Sequence, residues 1–231
     1  MLDRVETDHV EMAGRSTRPA SLLEAMRDRT KALHVTAERT GLVAELLRGR
    51  GTVQAYALLL RNLLPVYEAL EADLVGHQGT PVVGLIVRPE LHRSAAIRAD
   101  LAQLDATDLT VLPEAIAYVR AIREAGSGSG HPLLAHAYTR YLGDLSGGQI
   151  IKKILARSLG LQQQALSFYE FSAIGDIPLF KDEYRGALEQ AGAAMAEHEA
   201  VVEEAATAFQ LNIALSQALQ QASGLGSRER E

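Results

Sequence analysis

Apolar residues recur at helical spacing along most of the chain, and few stretches alternate between apolar and polar positions. The first helix is predicted over residues 21–47, with a buried stripe of Leu22, Met26, Leu33 and Ala37. Ser21 can cap its start, and Glu24, three residues later, completes the pattern of a capping box. The glycines at 49 and 51 end it.

The remaining periodic stretches predict further helices and no strands. They cover residues 52–75 with a kink at Pro65, 94–104, 113–124, 131–159, and 177–198 continuing through a bend to 222. The fold class is therefore all-α. We expect a single helical domain over residues 19–222, with a flexible tail at 1–18 and a disordered one at 223–231.

One stretch in the region 131–159 departs from helical preferences. Gly143, Gly147 and Gly148 each cost about 0.5–1 kcal/mol relative to alanine inside a helix. On a helix, Gly143 and Gly147 would lie on one face and leave backbone free to lie against something large and flat. Arg140 and Asp144 flank that bare face. From spacing alone, a turn between two helices is the favoured interpretation.

Composition and charge exclude several classes of function. The 231 residues carry a net charge of −6 without a lysine- or arginine-rich block, so nucleic acid is not an expected partner. Cysteine is absent, which removes disulfides and thiolate sites and suits a reducing cytoplasm. No apolar run reaches the roughly 20 residues of a membrane span, and the N-terminus lacks a signal-peptide pattern. We expect a cytoplasmic protein, with a monomer as the default state.

The first helix carries one candidate ligand stripe, formed by Arg27, Lys31, His34 and Glu38 at steps of four, three and four. A histidine preceded by two cations suits a ligand with a metal at one end and carboxylates at the other, as in haem. A solvated charged face explains the same stripe and is the more common case.

Two later positions add candidates. Lys181 and Arg185 form a second basic pair, although neighbouring acidic residues favour plain surface charge. Phe209 and Asn212 share a face of the last helix, where Asn212 is either part of the core or a member of a polar network.

Residues 135–149 closely resemble the distal-helix signature of the haem oxygenases, and residues 29–34 resemble the segment that carries their proximal histidine. Further matches occur in the family's order at 67–71, 89–93, 180–185 and 208–213, so the resemblance spans about residues 20–220. It implies a single-domain, multi-helix fold in which haem lies between a proximal helix and a kinked distal helix. It also replaces the interpretation of the glycines as a plain turn.

The resemblance implies a role for each matching residue. His34 corresponds to the axial ligand of the haem iron, and Glu38 to a residue that orients it directly or through water. Gly143 and Gly147, with Gly148 beside them, correspond to the bare distal backbone, and Asp144 to the aspartate that organises water there. The other matches are network residues (Tyr67, Arg140, Asn212), propionate-binding cations (Arg27, Lys31, Lys181, Arg185) and pocket-wall residues (Tyr138, Phe209).

The implied activity is oxidative cleavage of haem b, which is both substrate and cofactor, with molecular oxygen as co-substrate. The family forms biliverdin, by default the IX-alpha isomer, with carbon monoxide and ferrous iron, via a ferric hydroperoxide. Expected partners are an electron donor, either ferredoxin or a flavoprotein reductase, and a bilin acceptor such as a phytochrome. Two alternatives are a haem carrier or sensor without turnover and a non-haem member of the wider helical superfamily. The first has no need of Asp144, and the second lacks the carboxylate and histidine set of a di-iron site.

Overall fold

The structure, a computed structural model, describes residues 21–225, so the predicted tail at 1–18 and most of the one at 223–231 lie outside it. Across these residues the chain is helical and contains no strand. Its α-helices are α1 (Leu22–Arg39), α2 (Gly41–Leu47), α3 (Val53–Gly76), α4 (Ser94–Gln103), α5 (Pro113–Ala125), α6 (Leu133–Gly143), α7 (Gln149–Leu159), α8 (Ile177–Ala193) and α9 (Glu199–Ala222).

Two helices organise the core. α9 packs against α1, α2, α5 and α6, while α3 packs against α4 and α5. α3 is apolar on nearly all of its faces and is accordingly buried along most of its length. Its start is capped as the sequence predicts, with the Thr52 side chain accepting from the Ala55 N–H. The helix runs on through Pro65.

The start of α1 is also confirmed. The Ser21 hydroxyl accepts from the Glu24 N–H, and the Glu24 carboxylate accepts from the Ser21 N–H, which completes the capping box. Leu22 and Met26 are fully buried, whereas Leu33 and Ala37 are only half-buried. The predicted stripe therefore holds for the first turns of α1 and weakens towards His34.

The prediction of one helix over residues 21–47 is wrong, because the chain breaks at Thr40. Gly41 adopts φ +71°, and a Cβ there would lie 2.4 Å from Ser216 Oγ on α9. Ser216 Oγ also accepts a hydrogen bond from the Val43 N–H at 3.1 Å. Contact with α9 thus redirects the chain and starts α2, and local periodicity carries no signal of that contact.

The prediction of one bent helix over residues 177–222 is also wrong. Residues 194–198 separate α8 from α9, and His198 occupies the N-cap position of α9 instead of a helix interior. The His198 Nε2 atom lies 2.8 Å from the Gly192 carbonyl oxygen. This hydrogen bond holds the segment between α8 and α9 against the end of α8.

Gly41→Ala should destabilise the protein strongly, because the new methyl group meets α9 in a backbone conformation that alanine disfavours. The matched control is Gly160→Ala, which has φ +65° but no atom within 4 Å of the added Cβ. Urea unfolding should show a loss of about 1–2 kcal/mol for Gly160→Ala and an additional loss of about 1–3 kcal/mol for Gly41→Ala. Equal losses in the two variants would contradict the packing role of Gly41.

Candidate active site

The distal segment is a continuous helix with a wide turn in its middle. α6 ends at Gly143, a π-helical turn covers Asp144–Gly148, and α7 begins at Gln149. The interpretation from spacing alone, a turn between two helices, is therefore wrong. A π turn absorbs the glycines without ending the helix, and such turns are frequent at functional sites.

The three glycines of this segment have two different environments. Gly143 and Gly147 are exposed, and a Cβ added at either would meet no atom within 4 Å. Gly148 is buried, and a Cβ there would lie 3.0 Å from Tyr169 Cδ1. Gly148 therefore lets Tyr169 pack against the turn, while Gly143 and Gly147 leave bare backbone on an open side.

A hydrogen-bonded cluster, which we call the Arg140 network, lies beside the π turn. It consists of the buried residues Tyr67, Arg140 and Asp144 and the half-buried Asn212. Arg140 donates through Nε and Nη2 to the Tyr67 hydroxyl at 3.0 and 2.9 Å, and through Nη1 to Asn212 Oδ1 at 2.6 Å. The Tyr67 hydroxyl donates to Asp144 Oδ2. Arg140 Nη2 also lies 3.5 Å from Asp144 Oδ1. The structure brings together all four residues that the resemblance assigns to one network.

Burial perturbs the proton affinities of this network. Burial raises the pKa of the Asp144 carboxyl, although Arg140, the Tyr67 hydroxyl and Arg93 each oppose the rise. Burial would lower the pKa of Arg140, but its interactions with Tyr67, Asp144 and Tyr118 outweigh that effect and raise it. Arg140 is therefore a permanent cation, and Asp144 holds a proton more readily than an exposed aspartate.

Sequence analysis missed two neighbours of this network. Tyr118 on α5 is fully buried, and burial raises its pKa to about 12. Arg93 is also buried and donates to the main-chain carbonyls of Glu90, Leu91 and Glu170. Arg93 lies within one of the matched segments, but no local pattern distinguishes a buried arginine from a surface one.

The proximal side is carried by α1. The His34 side chain is 58% exposed, its ring centroid lies 5.8 Å from that of Phe209, and Nδ1 lies 3.6 Å from Glu38 Oε1. That separation is longer than a hydrogen bond, so Glu38 stands in ion-pair range of His34 without a direct hydrogen bond to it. With Nδ1 turned towards Glu38, Nε2 is the nitrogen available to a ligand.

The four predicted cations lie on α1 and α8, which pack against each other. Burial raises the pKa of Tyr138, while Thr30, Arg27 and Arg185 lower it, so both arginines act electrostatically on the same tyrosine. Arg185 pairs with Asp182 at 2.8 Å, as the surface-charge interpretation predicts. Within residues 21–225, neither Lys31 nor Lys181 is held in an ion pair.

α9 connects the proximal and distal sides. Phe209 contacts His34 of α1, and Asn212, one turn later, binds Arg140 of α6. One face of α9 thus contacts both His34 and Arg140 of α6, the helix that ends at Gly143. Two surface cavities of about 480 and 400 Å³ lie elsewhere, lined by Gly41 and its neighbours and by Thr52 and its neighbours.

These residues fit haem. His34 provides an accessible imidazole, Gly143 and Gly147 provide exposed backbone free of side chains, and α1 and α8 provide cations for two carboxylates.

Every helix within residues 21–225 is too short or too polar to span a bilayer.

Comparisons with known proteins identify the family of this chain. The family model described as "Heme oxygenase" matches residues 20–218. "Heme oxygenase 1" of Homo sapiens is 37% identical over 210 residues, which cover 88% of this chain and 73% of the human protein. "Heme oxygenase 1" of Nostoc is 35% identical over 206 residues, which cover 87% of each protein.

A solved structure shows the same fold. Heme oxygenase-1 of the cyanobacterium Synechocystis, in complex with heme, superposes with a TM-score of 0.81 at 34% identity, covering 89% of this chain and 97% of that one. The match to the family model and the identity to both relatives extend over most of the chain. The chain belongs to the haem oxygenase family.

Proposed function

We propose that this protein is a haem oxygenase that cleaves haem b to biliverdin, carbon monoxide and iron with molecular oxygen and external electrons. The observation that carries the proposal is the juxtaposition of Asp144, buried in the Arg140 network, with the uncovered backbone of Gly143 and Gly147. A protein that only stored haem would need the flat surface but not a buried acid beside it.

Haem supplies both the iron that activates oxygen and the carbon that is oxidised, and the protein supplies binding, orientation and electrostatics. His34 Nε2 would bind the haem iron, because Nδ1 faces Glu38. An imidazole in that place would donate less electron density to the iron than a thiolate would. On the other side, Gly143 and Gly147 let main chain approach the macrocycle, because neither carries a side chain that would push it away.

Asp144 is the proposed proton carrier. Its Oδ2 accepts from Tyr67 and its Oδ1 faces Arg140, so the carboxyl group is held in one orientation. Burial raises its pKa, which lets one oxygen take up and release a proton under milder conditions than an exposed aspartate would. We infer that Asp144 acts through water, because a fixed carboxyl group cannot follow the substrate.

Arg27, Lys31, Lys181 and Arg185 are the proposed partners of the two propionates. Lys31 and Lys181 have no ion-pair partner within the described part of the chain, so they can bind carboxylates without breaking an existing pair. Arg185 would exchange its bond with Asp182 for one to the substrate. These cations would hold haem in one orientation through its carboxylates, and we propose the IX-alpha isomer as the product.

Haem oxygenases take electrons from a redox partner, and we propose that ferredoxin or a flavoprotein reductase serves this chain. The absence of cysteine suits a reducing compartment and supports a cytoplasmic location. A bilin acceptor such as a phytochrome is the proposed destination of the product.

The proposal is tested by adding haem, a reducing system and oxygen to the protein and following the absorption spectrum. The Soret band should decay as bilin absorbance grows. His34→Ala should lose turnover and regain it when imidazole is supplied in solution. An intact Soret band without bilin in the unaltered protein would instead favour a haem carrier.

Asp144→Asn should bind haem with unchanged affinity and lose biliverdin formation by about 100-fold or more, the usual contribution of a general acid. Asparagine keeps the size and one acceptor oxygen but cannot carry the proton. Asp108→Asn is the matched control, because Asp108 is exposed and distant from the site in sequence. Product chromatography measures both variants, and wild-type biliverdin yield from Asp144→Asn would refute the proton-carrier role.

Alanine substitutions at Gly147 and Gly148 should have different effects on the stability of the free protein and on haem binding. Gly147→Ala adds a methyl group to an open helical face, so the free protein should gain about 0.5–1 kcal/mol of unfolding free energy. The same methyl group should weaken haem binding. Gly148→Ala, which presses on Tyr169, should instead destabilise the free protein by about 1–3 kcal/mol. Thermal unfolding and haem titration distinguish the two, and destabilisation by Gly147→Ala would contradict the open-face assignment.

A further inference from the structure

Gln149 directly follows the glycines of the distal segment but has no part in the mechanism above. It is the first residue of α7, and its side chain is half-buried. Its Nε2 donates to the Asp144 carbonyl oxygen at 3.3 Å and to the Tyr169 carbonyl oxygen at 3.0 Å. The two N–H groups of one amide thus join the first residue of the π turn to a different part of the chain.

That other part, residues 167–171, is called the clamp segment. Contacts with two distant residues hold it in place. Asp100 of α4 accepts hydrogen bonds from the Ser167 and Phe168 N–H groups, both at 2.8 Å. Arg93 donates to the Glu170 carbonyl oxygen, and its guanidinium carbon lies 4.0 Å from the centre of the Phe171 ring. The clamp segment is therefore a rigid reference to which the π turn can be held.

Two further contacts attach α7 and the turn to the clamp segment without reaching Asp144. Tyr169 packs its ring against Gly148, and Lys152 pairs with Glu170. These contacts hold the helix in place, so loss of the Gln149 amide should leave the turn folded. The amide of Gln149 acts on the Asp144 main chain, which immediately follows Gly143.

We propose that Gln149 is a positioning residue that sets the height of the bare Gly143–Gly147 backbone above haem and the direction of the Asp144 carboxyl group. The proposal rests on the proposed function of this site as a haem oxygenase. Without the amide, the Asp144 carbonyl oxygen loses this donor, and the turn can shift relative to the clamp segment. Haem would still bind, but the fraction that is converted to a single biliverdin isomer would fall.

The test compares Gln149→Met with Gln162→Met. Methionine matches glutamine in length and lacks its N–H donors. The control is well matched because Gln162 also donates from Nε2 to a main-chain carbonyl, that of Gly160 at 3.3 Å, but at the end of α7. The first measurement is amide hydrogen exchange in the protein without haem. Residues 143–149 should exchange at least about fivefold faster in Gln149→Met, because both hydrogen bonds of the amide are lost, and at an unchanged rate in Gln162→Met.

The second measurement is made on the haem-loaded protein. Gln149→Met should bind haem within about twofold of the unaltered protein, which one polar contact remote from the ligand allows. Its yield of biliverdin per haem consumed should fall at least about threefold and its isomers should become mixed, since small misplacements of reacting groups lower yield steeply. Gln162→Met should change neither value.

Unchanged exchange in Gln149→Met would overturn the proposal, as would faster exchange with wild-type yield and isomer distribution. Equal effects of the two substitutions would overturn it as well. Failure of the unaltered protein to form any biliverdin would instead refute the proposed function, while the exchange measurement would still decide whether Gln149 holds the turn.

Discussion

The candidate site depends on the hydrogen bonds of one buried group, the guanidinium of Arg140. It joins α6 to Tyr67 of α3 and to Asn212 of α9, and it lies beside the carboxyl group of Asp144. Such a charge is stable in the core only when its donors are satisfied, so the three helices must hold one relative position for the network to exist. The geometry of the bare distal backbone is therefore tied to the packing of the whole domain.

α9 also connects the Arg140 network to α1, the helix that carries His34. Its contacts with α1, α2, α5 and α6 make it the shared support of His34 and of the distal helix. The break at Thr40 belongs to the same arrangement, because Gly41 makes room for Ser216 of α9. Thus α9 contacts α1, the helix that carries His34, and it also contacts the chain directly after α1 ends.

Much of the helical architecture could be predicted from local sequence, because caps and periodicity act over a few residues. Ser21, Thr52 and Pro113 begin helices where their side chains predict. The break at Gly41 and the separation of α8 from α9 depend on contacts with distant segments, which periodicity does not record. Spacing alone also failed at the π turn, since a cluster of glycines ends most helices and the support from Tyr169 is distant in sequence.

The candidate site, like the fold, could be predicted only in part from local sequence. Local pattern placed His34 on one stripe with Arg27 and Lys31 but favoured surface charge. The resemblance to a family was needed to connect these residues with Asp144 and Asn212. The roles of these residues remain predictions, whereas their assembly into one network is a property of the structure. Tyr118 and Arg93 are buried and both interact electrostatically with Asp144, and sequence pattern alone does not reveal that burial.

The exposed backbone of Gly143 and Gly147 has a consequence for substrate choice. A wall made of main chain has no side chains with which to recognise substituents on the face of a macrocycle. With the proposed roles of these residues, selectivity would come from the edge of the macrocycle, where cations on α1 and α8 would bind carboxylates, and from the metal, which His34 would bind. The bare backbone itself would not exclude a porphyrin that keeps both carboxylates but carries a different metal.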